Sequence, residues 1–277
     1  MRLPLVFFAG WLLSTAVLAA EDPREIVLRS VPRNQSDIDL SRQYTYLTRT
    51  LEKQLDKDGK VKSTESKTYD VANLYGQPYR RLVARDGKPL PAKEESEEQK
   101  KMDKELGKRS RESEADRRKR EKELRERLED QKKFIREIAD AFEFKLLGTE
   151  GVDGHDSWVI EAEPKRGFKP VSRRGGILAR VRGKLWITRK DYRWVKLEAD
   201  VIDTISFGWM LLRLHKGTRM TFEQRRVGEE LWMPSHAWIR GGARVALVKN
   251  FRIESETWWE NYRKFQTDSR VVGFETQ

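Results

Sequence analysis

Few side chains of this 277-residue chain stand where catalysis would need them. The three histidines, His155, His215 and His236, fall in a predicted turn, at a strand end and in a strand, and no two have metal-ligand spacing. Cysteine is absent, which removes thiolate zinc sites and leaves stability to the core without disulfides. No serine lies in a G-x-S-x-G elbow, and neither a phosphate-binding loop nor a dinucleotide fingerprint occurs. Arg173-Arg174-Gly175-Gly176 has loop glycines but lacks the strand-to-helix setting of a phosphate loop. Charged residues make up 37% of the chain, so acid pairs are common and none stands out. The expectation is a protein that is not an enzyme and uses no metal or cofactor. An enzyme acting on an envelope polymer would need His215 and His236 to converge with an acid in an open pocket.

Binding chemistry is better represented. Eight of the nine tryptophans lie beyond residue 157. Singly they read as core; together, on a curled sheet with little helix to fill it, they read as the lining of an apolar cleft. The expected lining is Trp186, Val195, Leu197 and Trp209, with Met210, Leu212, Trp232 and Trp238. Phe207–Leu212 has two readings, a cleft mouth or membrane contact and a buried central strand. The net charge of +12 is also localised: Lys165 to Arg193 holds eleven Lys/Arg against one acid, Asp191. Such a stretch is either a solvated loop or a patch that attracts polyanions. As a rim to the cleft, it would use Lys169, Arg173, Arg174, Arg180 and Arg182.

The compartment narrows the partners. Arg2, the apolar run Leu3–Leu18 and Ala19-Ala20 have the order of a secretory signal peptide over residues 1–20. The alternative, an uncleaved anchor, has a run shorter than the roughly 20 residues a spanning helix needs. Export to the periplasm argues against nucleic acid and leaves lipid headgroups and cell-surface polymers as polyanions.

Residues 21–277 read as one mainly β domain of α+β class, a curled antiparallel sheet or half-open barrel with a helical insertion at about 92–142. Glu21–Leu40 suggests a short helix with a turn at Pro32-Asn34. Strands are expected from Tyr44, over Val61–Leu74 and over Tyr79–Arg85, with a hairpin turn at Asp56–Lys60. Lys93–Lys133 is almost continuous charge with many pairs three or four apart, which favours one long helix, or two broken near Gly107–Ser113. Its apolar stripe of Leu124, Leu128, Ile135, Ile138 and Phe142 would dock on the sheet as the cover of its concave face. Strand patterns then resume at Phe144 and last almost to the end. In the strand from Trp194, Val195, Leu197, Ala199 and Val201 alternate with Trp194, Lys196, Glu198 and Asp200. Nine or ten strands with hairpin-length turns argue a single sheet that curls.

The run Gly183-Lys184-Leu185-Trp186-Ile187-Thr188-Arg189-Lys190-Asp191-Tyr192-Arg193-Trp194-Val195-Lys196-Leu197-Glu198-Ala199, followed by Leu231-Trp232-Met233-Pro234, resembles the periplasmic outer-membrane lipoprotein-sorting family (LolA/LolB-like). The resemblance spans roughly Tyr44–Phe265 and rests on pattern rather than on a chemical motif. It implies a half-open antiparallel barrel, helices across its mouth, and a cavity for the acyl chains of a lipoprotein or lipid. No individual functional residue carries over.

Two functional readings follow. One is a carrier of lipid or lipoprotein acyl chains, with an anionic membrane surface as a further partner. The other is an envelope module that docks a protein partner through residues 93–133 and holds no lipid.

Overall fold

The computed structural model describes residues 21–207, 212–229, 231–245 and 249–264. The expected signal peptide at 1–20 lies outside them. Helix α1 (Pro23–Ser41) leads into strands β1 (Tyr44–Leu55), β2 (Val61–Leu74), β3 (Gln77–Arg85) and the short β4 (Lys88–Pro89). Two helices follow, α2 (Ala92–Ser110) and α3 (Glu114–Ala141). Next come β5 (Phe142–Val152), β6 (His155–Pro164), a 3-10 helix (Gly175–Arg180), β7 (Val181–Thr188) and β8 (Trp194–Val201). β9 (Ile205–Phe207), β10 (Leu212–Leu214), β11 (Arg219–Val227), β12 (Leu231–Val245) and β13 (Lys249–Lys264) complete the described chain.

All pairings are antiparallel, in the order β4-β3-β2-β1-β13-β12-β11-β8-β7-β6-β5, and β9 and β10 branch from β12. The sheet is large and does not close, as the sequence pattern suggested. Its strands are longer than expected where aromatic and β-branched residues continue the alternation. The first hairpin turns because the Asp56 carboxylate accepts from the Asp58 and Lys60 N–H groups at 2.9 Å each, while Gly59 takes a left-handed φ of 82°.

The insertion is two helices, one of the two forms the sequence left open. Ser113 starts the second, its hydroxyl accepting from the Asp116 N–H at 3.1 Å. Pairs such as Arg117–Glu121 (3.1 Å) line its exposed side and add a few tenths of a kcal/mol each. Arg120, almost wholly buried, fixes the hairpin to the sheet. It donates to both Glu112 oxygens (3.1 and 3.0 Å) and to the Tyr75 carbonyl (2.8 Å) in the β2–β3 turn.

The first helix departs from expectation, running unbroken through Pro32. Asp22 caps it by accepting the Arg24 N–H at 2.9 Å, and Pro23 occupies its first turn. Pro32 forfeits one helical hydrogen bond. Burial of Ile26, Val27 and Val31, worth roughly 2 kcal/mol each before entropy, offsets that loss. They join Ile138 and Ala141 of the α3 end, Phe142 at the start of β5 and Leu178 of the 3-10 helix over Trp158, Ile160, Leu185 and Ile187. Both α1 and the end of α3 therefore cover the sheet, where the sequence suggested the insertion alone. No helix among the described residues is long and apolar enough to cross a membrane.

Candidate functional site

The helix-covered side of the sheet carries two apolar rows set by strand register. One runs Ile160–Leu185–Leu197–Phe222–Ala237, and the other Ala162–Gly183–Ala199–Met220–Ile239. At β6 and β7 the first row is fully covered, with Ile160 and Leu185 buried. From β8 onward Leu197, Phe222, Ala237, Met220 and Ile239 are only half-buried. Trp259 meets Phe222 edge-on at 6.3 Å and extends this surface to β13.

Beyond β12 the same rows turn polar. Ala237 is followed by Thr257, Thr50 and Lys67, and Ile239 by Ser255, Glu52 and Glu65. Thr50 and Thr257 share a hydrogen bond of 3.3 Å, and Lys67 pairs with Glu65 at 2.7 Å. A hollow of about 220 Å³ opens here, bounded by Thr50, Glu52, Glu65, Lys67, Tyr69 and Arg80. The Arg80 guanidinium lies 4.3 Å from the centre of the Tyr69 ring. An apolar strip thus runs directly into a polar hollow that offers hydroxyls, carboxylates and cations, an arrangement that suits an amphiphile.

The expected lining residues do not share one surface. Leu197 packs against the helix-side core. Trp186 points the other way, between Leu185 and Ile187, donates to Glu150 at 2.9 Å and lies 4.7 Å from the Lys196 ammonium. Trp238 registers with Glu256 and Thr221 on that same far side. Val195 and Trp232 are buried outside the helix-side cluster. Trp232 donates to Asp191 at 3.3 Å and meets His155 edge-on at 4.8 Å. Trp209 and Met210 lie outside the described residues, as does the side chain of Leu212, whose backbone pairs with Phe207 and Val245.

Trp186 and Trp238 face away by ordinary alternation with Leu185 and Ile239, and within β8 the physical reason is a β-bulge. Trp186 pairs with Lys196 while Ile187 pairs with Trp194, so Val195 is the extra residue and the alternation reverses there. Trp194 consequently faces the helices with Leu197, although strict alternation would separate them. Phe222, Met220, Ile239 and Trp259 were missed. Met220 and Phe222 do alternate in the sequence, but nothing there shows that their row leaves the cover of the helices.

The bulged strand also holds α1. Trp194 Nε1 donates to Ser30 Oγ at 2.8 Å, and Arg193 donates to Asp37 Oδ2 at 2.6 Å and to the Arg33 carbonyl. Burial pushes the Asp37 carboxyl up from 3.8 to about 6, with the Arg193 charge opposing it. The other carboxylate oxygen, Oδ1, is buried without a hydrogen bond.

The basic stretch is a fixed structure rather than a loose loop. The buried Glu137 carboxylate of α3 accepts from the Val171 N–H, the Ser172 N–H (2.8 Å) and the Ser172 hydroxyl. Asp130 accepts the Arg173 N–H at 2.9 Å. Lys169, Arg173, Arg174, Arg180 and Arg182 all reach solvent. The last two stand at the end of the sheet where Arg182 registers with Asp200 and Asp200 with Arg219, next to Met220.

The histidines do not converge. His236 sits on the far side between Glu223 and Glu256, 3.6 Å from each, and stacks on Trp258 at 5.4 Å. His215 packs against Gly242, further along β12. Among the described residues no group of three or more potential ligands could hold a metal ion.

No family model matches the chain, and no curated protein matches it. Solved structures are similar. A DUF1329 family protein from Desulfovibrio piger has TM-score 0.33 and 13% identity, over 90% of this chain and 95% of its own. An outer membrane lipoprotein-sorting protein domain from Vibrio parahaemolyticus has TM-score 0.31 and 11% identity, over 88% and 94%. The LolA superfamily protein NE2245 from Nitrosomonas europaea has TM-score 0.31 and 12% identity, over 89% and 94%.

Proposed function

We propose that this protein is a non-enzymatic binder of amphiphiles in the cell envelope, exported through residues 1–20, that takes up the acyl chain of a lipid or lipoprotein. The supporting observation is the apolar row that leaves the cover of the helices half-exposed at Leu197, Phe222 and Ala237 and then meets the polar hollow. The chain would lie along the row with its polar end toward Thr50, Lys67 and Arg80. Each methylene removed from water there contributes about 0.8 kcal/mol. This site replaces the tryptophan-lined cleft expected from sequence, because α1 fills the helix side over β6 and β7.

The test is lipid extraction and mass spectrometry of the protein purified from the envelope, with displacement of a fluorescent fatty acid from the stripped protein. Co-purified lipid and about tenfold weaker uptake by Phe222→Asp are expected. A protein that carries no lipid and takes up none, or whose uptake Phe222→Asp leaves unchanged, overturns the reading.

A second reading rests on α2, which buries none of its residues. It makes the α2–α3 hairpin a dock for an envelope protein. Removing Glu95–Glu123 distinguishes the two: fatty-acid uptake survives and partner capture is lost if the hairpin is an adaptor.

A further inference from the structure

The segment between β6 and β7, expected from sequence as a basic rim, is part of neither the proposed apolar row nor the α2–α3 hairpin. Val171 is 82% exposed, more than any other large apolar residue described as exposed. Its neighbours Arg166, Lys169, Arg173 and Arg174 are exposed cations, and no acid occurs from Lys165 to Lys190. Among the described residues none of these four side chains is in an ion pair, and the two acids on the loop, Glu137 and Asp130, accept from its backbone N–H groups.

The backbone that presents them is held. Glu137 receives the Val171 and Ser172 N–H groups, Asp130 receives that of Arg173, and the Lys165 N–H donates to the Ala141 carbonyl at 2.8 Å. Gly175 is required for the fit, since a Cβ there would stand 2.5 Å from Pro170 Cβ and collide with the Glu137 carboxylate. Phe168, half-buried, packs on the core and anchors the base of the loop. A buried carboxylate costs free energy unless hydrogen-bonded. Here its hydrogen bonds order a segment that turns an apolar side chain outward amid cations.

We infer that this loop docks the protein on an anionic lipid bilayer, with Val171 entering the interface and the cations meeting the headgroups. A bilayer accounts for both halves of the surface. A soluble polyanion would engage the cations but gives no role to an exposed valine. Cations near an anionic membrane attract it additively and lose that attraction in salt, whereas an apolar side chain adds a salt-independent part. The inference goes beyond the chain-binding reading, and either can fail alone.

The experiment is cosedimentation of the full chain, processed as in the cell, with vesicles of equal parts phosphatidylglycerol and phosphatidylcholine, and with phosphatidylcholine alone. Fatty-acid uptake is measured in parallel on each variant. The expected result is binding to the anionic vesicles only, weakened by salt. Lys169→Ser with Arg173→Ser and Arg174→Ser should lower the partition coefficient about a hundredfold, and Val171→Asp about tenfold. None of these residues lines the proposed apolar row or its polar hollow, so both variants should keep normal fatty-acid uptake. Absence of binding to the anionic vesicles, equal binding to neutral ones, or binding that Val171→Asp leaves unchanged overturns the inference.

Discussion

Arg193 donates to Asp37 across 2.6 Å, and each side chain is only about a tenth exposed. The pair joins the bulged start of β8 to α1, and its two partners are not equivalent. Desolvation outweighs the attraction of Arg193, because the Asp37 carboxyl is raised from 3.8 to about 6. Folding therefore tightens proton binding at Asp37. Between those two pH values the native state holds more protons than the unfolded chain, so stability falls as pH rises through the window. The contribution of this group should be about 3 kcal/mol in favour of the protonated form. Urea unfolding on either side of the window should show this loss in the wild type and not in Asp37→Asn. Equal pH slopes in the two proteins would refute the assignment.

Arg193→Ala should be far more damaging than Asp37→Asn. It leaves a buried carboxylate without its cation and the Arg33 carbonyl without a donor. Breaking a buried pair in this way costs about 3–5 kcal/mol. Adding Asp37→Asn to Arg193→Ala should restore part of the loss, since the uncompensated charge is then gone. The measurement is a double-mutant cycle by urea denaturation at neutral pH, and additive losses would count against the pairing.

Much of the sheet was legible because its strands obey local rules. Val61–Leu74 is rich in β-branched residues and is bounded by the Gly59 and Gly76 turns, and the structure places β2 over the same residues. The charged insertion was equally legible from composition and the absence of proline. α1 was legible only up to Pro32, which resembles a stop, and its covered side mixes Ile26, Val27 and Val31 with Ser30, Asn34 and Asp37. Ser30, Asn34 and one oxygen of Asp37 find partners in Trp194, the helix's own backbone and Arg193, which are invisible in a linear pattern. The faces of β8 in the expected lining were hidden for a related reason. One extra residue at Val195 reverses the strand's faces, and only the register with β7 reveals it.

Gly175→Ala should loosen the basic loop without unfolding the sheet. The new methyl group would displace the Glu137 carboxylate or Pro170, an overpacking cost of about 1–3 kcal/mol. Glu137→Ala should act in the same direction by leaving the Val171 and Ser172 N–H groups without an acceptor. Trypsin should then cut at Arg166, Arg173 or Arg174 faster in both variants than in wild type, while far-ultraviolet circular dichroism stays the same. Unchanged cleavage would mean that the loop does not depend on Glu137.

Arg120 offers a separate handle on the helical hairpin. Its guanidinium is the hydrogen-bonded link from α3 to the β2–β3 turn, through Glu112 on one side and the Tyr75 carbonyl on the other. α2 lies beside β3, where Arg85 meets Glu94 at 3.2 Å and Arg81 donates to Gln99 at 3.3 Å, both exposed contacts of small worth. Arg120→Ala should therefore release the hairpin locally while α1 and the end of α3 stay packed on β5–β7. Hydrogen exchange should speed by at least about tenfold across residues 95–123, the loss of charged hydrogen bonds worth roughly 1.5–3 kcal/mol, and remain unchanged at Ile160, Leu185 and Ile187. Faster exchange spread evenly over hairpin and core would show instead that the two unfold as one unit.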